Sequence, residues 1–408
     1  MSLQRGTAVT DHQESAFPYP RTCPLQPPRE YASLRAEQPI SKVTLASGRT
    51  AWLLTRHEHI RQLLASSHVS SNLAHPGYPL HFDVPAEVME RMRPVLLAMD
   101  PPVHTAQRKM VLPEFTVKRV LQLRPRIQEI VDERVSALLA GEGPVDLVQE
   151  LALPVPSLVI CELLGVPYAD RAFFQDRTRK LVSVDADPEE RNTAHGELHA
   201  YFAELITAKE ADPGDDLLGR LVVKNRETGT FDHGELVGMA NVLLVGGHET
   251  TANMISLGVV ALLENPDQLA RLRDDHGLAP QAVDELLRYF SIADQVTSRV
   301  ALADMEIGGV LIRAGEGVIG LSASGNYDEA VFPGPDRLDI DRGGRHHLAF
   351  GHGIHQCIGQ NLAKLELEIV FTTLFARIPG LKLAAPAADL PFKDNMGVYG
   401  LHGLPVTW

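Results

Sequence analysis

Phe350-Gly351-His352-Gly353-Ile354-His355-Gln356-Cys357-Ile358-Gly359 sets one thiol in a glycine-rich loop directly ahead of a helix pattern. Beyond Cys357 the apolar residues Ile358, Leu362, Leu365 and Ile369 recur at three- and four-residue intervals, the spacing of one helix face. A cysteine placed there meets unpaired backbone N–H groups and the positive end of the helix dipole, and both favour thiolate over thiol. Glycines at 351, 353 and 359 let backbone approach a bulky planar partner. A thiolate so presented suits an iron with an open opposite face. Two plainer readings stand beside it. Cys357 can be a small buried hydrophobe. It can also join His346, His347, His352 and His355 in a zinc cluster, although such sites usually pair their ligands and Cys23 and Cys161 are remote.

The string resembles the cysteine loop of cytochrome P-450, the haem-thiolate monooxygenases, at Phe350, Gly351, Gly353, His355, Cys357 and Gly359. That resemblance implies that Cys357 is the axial ligand of a haem b iron, with Phe350, Gly351, His355 and Gly359 around the cofactor. It also implies the fold: mainly α with small β-sheets, a single triangular domain. The haem would lie between a long central oxygen-binding helix and the helix after the cysteine loop.

The 408 residues hold no linker, repeat or low-complexity run, so residues 21–408 are expected to form one haem domain after a flexible N-terminus, 1–20. An apolar fraction of 44% is enough for a substantial core, and a net charge of −14 argues against nucleic acid as a partner. Three cysteines fit a reducing, cytoplasmic setting better than a disulfide scaffold. Met1 to Pro20 has no apolar run, and the best internal candidate for a span, Leu236 to Leu263, carries His248, Glu249, Thr250, Thr251 and Asn253 in its middle. No membrane anchor is expected. The resemblance then points to the soluble bacterial type.

Apolar periodicity predicts helices at His57–Ala65, Pro102–Val111, Val117–Leu139, Val145–Leu164, Gly196–Lys209, Leu236–Glu264, Pro266–Asp274 and Pro280–Phe290. Hairpins are expected at Val43–Leu45 with Ala51–Leu54, and at Met305–Ile307 with Val310–Ile312.

On the long central helix, Gly246-Gly247-His248-Glu249-Thr250-Thr251 interrupts an apolar run. Two interior glycines cost about 1 kcal/mol each relative to alanine. Gly246 and Thr250 share a face, and the Thr250 hydroxyl can bond the Gly246 carbonyl, opening a polar notch. Glu249 points about a quarter turn away, where it could connect to water. A glycine-tolerant helix crossing is the plainer explanation. The string also resembles the family's acid–alcohol pair. By that resemblance Thr250 assists oxygen activation, Glu249 helps deliver protons, and Gly246 and Gly247 leave room for dioxygen beside the haem.

Three further pieces follow in family order. Glu285 and Arg288 set opposite charges three residues apart on a helix, and by resemblance they form a structural ion-pair triad with Arg337. His104 and Arg108, four residues apart, can both donate to carboxylates. By resemblance they grip the haem propionates together with Arg299 and His355. Tyr327 departs from the pattern, since many family members carry arginine there, in a position without a catalytic role.

The resemblance implies a hydroxylase of an unactivated C–H bond, using O2 and two electrons that pass from NAD(P)H through a separate reductase and a ferredoxin. Arg21-Thr22-Cys23-Pro24, Gly247 to Asn253 and Leu404 to Trp408 are similar to one actinobacterial group of secondary-metabolism enzymes. Phe290 to Asp294, Gly325-Asn326 and Tyr399 to His402 resemble most the members acting on macrolide or polyene polyketides. A statin precursor, terpenoid, steroid or drug is the alternative substrate. A haem-thiolate ligand-binding or partner-recruiting protein is the non-enzyme alternative, which the presence of both Glu249 and Thr250 disfavours.

Family position assigns the substrate pocket to Leu243, Ile292, Ala293, Gln295, Val398 and Tyr399, with the regions Asn72–Leu97 and Phe173–Asp187. That largely apolar set suits a large hydrophobic substrate. A monomer is expected. Ferredoxin docking is expected on a basic patch of Arg342, Arg345, His346, His347 and Lys364, joined by Arg108 or Lys109.

Overall fold

The computed structural model describes residues 17–80, 95–182, 187–294, 296–344, 346–394 and 397–408. The helix His233–Glu264 runs through its core, and every residue from Thr251 to Leu262 is buried. Its start is a reciprocal cap. The Asp232 carboxylate accepts from the Glu235 N–H, and the Glu235 side chain accepts from the Asp232 N–H, both at 2.7 Å. Two orphan donors are thereby satisfied, and the helix begins three residues ahead of Leu236, where the apolar pattern starts.

Helices Pro154–Leu164, Pro188–Ala211, Ala279–Phe290 and Gln360–Arg377 pack around it. Ile255, Val259 and Leu262 share one apolar cluster with Leu286, Phe290, Ile369, Val370 and Leu374. Each such side chain contributes about 1.5–3 kcal/mol when taken fully out of water. Apolar burial therefore clamps the helix after the cysteine loop to the central helix. A Cβ on Gly258 would lie 2.4 Å from the Phe371 ring, so this crossing requires glycine.

The larger sheet has five strands in the spatial order Ile40–Thr44, Thr50–Leu54, Gly317–Gly320, Ser298–Ala301, Val69–Ser70. The first hairpin starts at Ile40, paired with Leu54, three residues before the expected Val43. The second, Met305–Ile307 with Val310–Ile312, lies where alternation put it and turns at Gly308 and Gly309, both at positive φ.

Elsewhere local chemistry subdivides the pattern. The expected Val117–Leu139 helix is two, Val117–Leu121 and Arg124–Ala140, because Pro125 suits a first turn and not an interior. Val145–Leu164 resolves into the strand Val145–Asp146, a π-helical turn at Val148–Ala152 and the helix Pro154–Leu164. Among the described residues the helices Glu30–Glu37, Arg171–Val182 and Leu217–Thr228 and the short Ser322–Gly325 have no counterpart in the apolar reading. Among the described residues no helix is long and apolar enough to cross a membrane.

Candidate active site

Cys357 lies three residues before the helix Gln360–Arg377, and its N–H donates to the Phe350 carbonyl at 2.9 Å, closing the loop on itself. Burial pushes the Cys357 thiol up, outweighing the Gly359 and Gln360 N–H groups and the Arg108 guanidinium that pull it down. The helix-end donors expected from sequence are present, then, but desolvation wins. A coordinated cation would reverse the balance, since a metal-bound thiol is deprotonated outright. The Cys357 side chain is nonetheless exposed at the surface of the loop.

A Cβ on Gly351 or on Gly359 would meet nothing within 4 Å, as expected of residues left open to a partner, whereas Gly353 has a different task. Gly353 sits at φ +74°, and a Cβ there would lie 2.1 Å from the Leu64 carbonyl of the helix His57–Ala65. Glycine there lets the loop pack on the end of that helix. The histidines disperse as well, and among the described residues no group of three or more His, Cys, Asp or Glu is placed to hold a metal ion.

All four residues assigned to propionates converge beside the loop. The His104 and His355 rings are 4.1 Å apart. Burial, followed by the charges of Arg299, His104 and Arg108, pushes His355 down to about 3. Both ring nitrogens of His104 and Nε2 of His355 are buried without a hydrogen-bond partner. Arg299 is buried and donates to the Ser298 carbonyl at 2.7 Å; among the described residues no carboxylate forms an ion pair with it, and Asp100 acts on it only from a distance. Arg108 is tied to the loop itself, donating to the Gln356 carbonyl at 2.5 Å. Unpartnered buried donors beside buried cations fit a group that brings carboxylates.

On the central helix the Thr250 hydroxyl donates to the Gly246 carbonyl at 2.7 Å. The two glycines divide their work. A Cβ on Gly246 would meet nothing within 4 Å, whereas one on Gly247 would come 3.3 Å from Ile160. Gly246 faces the opening, and Gly247 serves a helix crossing. Val245, beside Gly246, is 52% exposed although it follows the buried Leu243 and Leu244, and Val296 is 51% exposed three residues before Arg299. Sequence reasoning missed both, although Val245 adjoins the glycine pair.

Glu249 is partly exposed and meets a cation. Its Oε1 lies 3.3 Å from Nζ of Lys393, a residue that no sequence pattern singled out. His248, one position earlier, is fully buried, and burial, then the Lys393 charge, pushes it down to about 4, against a hydrogen bond to the Leu153 backbone. Below pH 6.5 the unfolded chain takes a proton that the folded one refuses, so stability should fall between pH 6.5 and about 4. The loss is at most about 1.4 kcal/mol per pH unit. Urea unfolding at pH 7 and pH 4.5 checks this, and His248→Gln should flatten that part of the curve.

The ion-pair triad forms with a different third member. Arg288 makes a bidentate pair with Glu285, at 2.7 and 2.8 Å, and both side chains are wholly buried. Arg342, not Arg337, completes it, with Nε 3.1 Å from Glu285 Oε1. The Arg337 side chain is 77% exposed toward Asp339, and Arg337 serves the cluster only through its carbonyl. The ring of Tyr327, the departure from the family pattern, lies 5.4 Å from the Arg288 guanidinium.

The residues assigned to the pocket and to the basic patch have varied settings. Leu243 and Ile292 are buried in the main core. The Tyr399 hydroxyl donates to the Pro24 carbonyl at 2.7 Å with Arg21 over its ring, so that side chain is held by the N-terminal segment. Ala293 and Val398 are half-buried, while Gln295 and parts of both flanking regions lie outside the described residues. Of the basic patch, Arg342 is spent on Glu285, Lys364 pairs with Asp284 at 2.6 Å, and His347 lies 3.6 Å from the same carboxylate. Arg345 is outside the described residues; His346 and Lys109 are exposed.

A profile of the family described as Cytochrome P450 matches residues 187–378. Pentalenic acid synthase of Streptomyces avermitilis is 49% identical over 403 residues, covering 99% of each chain. The crystal structure of cytochrome P450 MoxA from Nonomuraea recticatena is 54% identical, with a TM-score of 0.92 over 97% of this chain and 98% of that one. The mycinamicin VIII C21 methyl hydroxylase MycCI from Micromonospora griseorubida, solved with mycinamicin VIII bound, is 41% identical. Its TM-score is 0.89 over 96% of this chain and 99% of that one.

Proposed function

This chain belongs to the cytochrome P450 family and is a P450 monooxygenase; from that premise we propose that it hydroxylates an unactivated C–H bond of a large, mostly apolar natural product. The net reaction is RH + O2 + 2 e− + 2 H+ → ROH + H2O. When bound, the haem supplies the iron at which dioxygen is reduced. Cys357 would hold that iron, while His104, Arg299 and His355 would meet the propionates with the donors they leave unpaired.

The chain's own residues then have defined tasks. Thr250 keeps its hydroxyl proton on the Gly246 carbonyl and so turns its oxygen lone pairs to the notch. Gly246 keeps that notch open. Glu249 is the acid from which protons reach it. Val245 and Val296 supply apolar wall, which excludes water and recognises a substrate by burial instead of by hydrogen bonds. The observation that carries this reading is the pairing of an apolar, half-exposed Val245 with the Gly246–Thr250 notch on one helix.

A macrolide or polyene polyketide is the substrate class we favour. A hydroxylase 41% identical over nearly the whole chain holds mycinamicin VIII. A panel of such compounds, scored by the shift each causes in haem absorbance, tests the class. Saturable shifts confined to small polar compounds would contradict it. A ferredoxin, reduced from NAD(P)H by its reductase in the cytoplasm, is the electron donor we propose. With Arg342 and Lys364 engaged, its docking would rely on Lys109, His346 and the half-exposed Ile354 of the cysteine loop.

Thr250→Ala should bind substrate as the wild type does and still consume NADPH. Most of the electrons should then leave as hydrogen peroxide, with the fraction recovered in product falling about tenfold or more. Peroxide and product assays in one reaction check it. Unchanged coupling would leave Thr250 a purely structural role.

A further inference from the structure

We propose that Lys393 is a positioning residue for proton delivery: its buried ammonium fixes the resting direction of the Glu249 carboxylate and so governs how much electron flow ends in product. The proposal rests on the role given to Glu249 above.

Lys393 is only 4% exposed, although it belongs to the C-terminal part of the chain. An isolated ammonium at that depth is costly. Here Nζ donates to Asn253 Oδ1 at 2.9 Å and to Glu249 Oε1 at 3.3 Å. Glu249 and Asn253 are one turn apart on one face of the central helix, so a single ammonium bridges them.

The segment that brings Lys393 there is fixed by backbone. The Lys393 N–H donates to the Gly400 carbonyl at 2.9 Å, and Phe392 bridges Leu401. A Cβ on Gly400 would lie 2.1 Å from Asn253 Oδ1, so glycine is what lets this turn reach the helix. His248 senses the same cation from the neighbouring position and stays neutral. The geometry therefore looks built and not incidental.

The two bonds are unequal, and the difference has a use. Charge-assisted N–H···O bonds typically measure about 2.7–2.9 Å. The Asn253 bond is within that range, while the Glu249 bond, at 3.3 Å, is longer. When Glu249 rotates toward Thr250 to deliver a proton, Lys393 keeps Asn253 and is not stranded. When Glu249 returns, the ammonium draws it back to the same place. Glu249 thus has a defined resting position and a low cost of leaving it. Without Lys393 the carboxylate would settle anywhere its torsions allow, and delivery would be mistimed.

The test compares wild type, K393M, K393R, E249Q and the double variant E249Q/K393M, all haem-loaded. They are supplied with ferredoxin, reductase and a compound that shifts haem absorbance. K393M should bind that compound normally, yet recover about fivefold fewer electrons in product, a modest share of the hundredfold or more that a positioned proton donor contributes. K393R should restore most of the coupling. A second readout needs no turnover: in thermal unfolding the double variant should melt no lower than the worse single variant, because each single change already breaks the pair. If K393M proves too unstable to purify, K393R and K393Q carry the comparison, with K393Q uncoupled and K393R not.

Wild-type coupling in K393M, or melting losses that add together with no rescue by arginine, would overturn the proposal. The underlying reading fails separately. Full coupling in E249Q would remove Glu249 from proton delivery, whereas uncoupling in E249Q but not in K393M would remove Lys393 alone.

Discussion

Arg288→Met should cost about 3–5 kcal/mol of stability, because it leaves the Glu285 carboxylate buried against a single remaining cation. Glu285 accepts from Arg288 at 2.7 and 2.8 Å, from Arg342 at 3.1 Å and from the Asp339 N–H at 3.1 Å. Arg288 also donates to the Asn326 carbonyl at 2.9 Å, and the Asn326 side-chain oxygen accepts from the Leu348 N–H at 2.7 Å, two residues before Phe350. The cluster therefore ties the helix Ala279–Phe290 to the approach of the cysteine loop. With a total stability of about 5–15 kcal/mol usual for a folded chain, Arg288→Met should yield little folded, haem-loaded protein. Arg337→Ala should shift stability by less than about 0.5 kcal/mol, since that side chain lies at the surface. Arg342→Ala should fall between the two. Urea unfolding of the three variants checks the order. A large loss at Arg337 with none at Arg342 would restore the assignment made from sequence.

That contrast shows what sequence can and cannot reach. The hydrogen bond from Thr250 to Gly246 lies within one helical turn, so spacing alone foresaw it. The convergence of His104, Arg108, Arg299 and His355 was legible only through resemblance, because the set comes from three separate elements. Arg337 and Arg342 are five residues apart in an irregular segment where no periodicity tells which one faces Glu285. Lys393 is 144 residues from Glu249, and nothing local marks it as a partner.

Some misses were avoidable. The Asp216 carboxylate accepts from the Gly219 N–H, and Gly229 closes the same helix at φ +59°. Both ends of Leu217–Thr228 thus carried cap signals that the apolar pattern passed over. For Cys357 the sequence shows the donors at the helix start but not the burial that opposes them. The donors at the helix start are present, but burial outweighs them. Which effect prevails depends on the packing around the sulfur, and a linear sequence does not contain it.

The central claim is that Cys357, and neither Cys23 nor Cys161, supplies the thiolate to the haem iron. The three differ in setting: Cys161 is buried in the main core, Cys23 is half-buried near the N-terminus, and Cys357 alone of the three is exposed. Cys357→His offers the iron an imidazole in place of sulfur and should keep haem bound. The measurement is the absorbance spectrum of the reduced protein under carbon monoxide, for wild type, Cys357→His, Cys23→Ala and Cys161→Ala. Wild type and the last two should show the red-shifted band that gives the family its name, and Cys357→His should lack it entirely. An intact band in Cys357→His, or its loss on replacing Cys161 or Cys23 instead, would contradict the account.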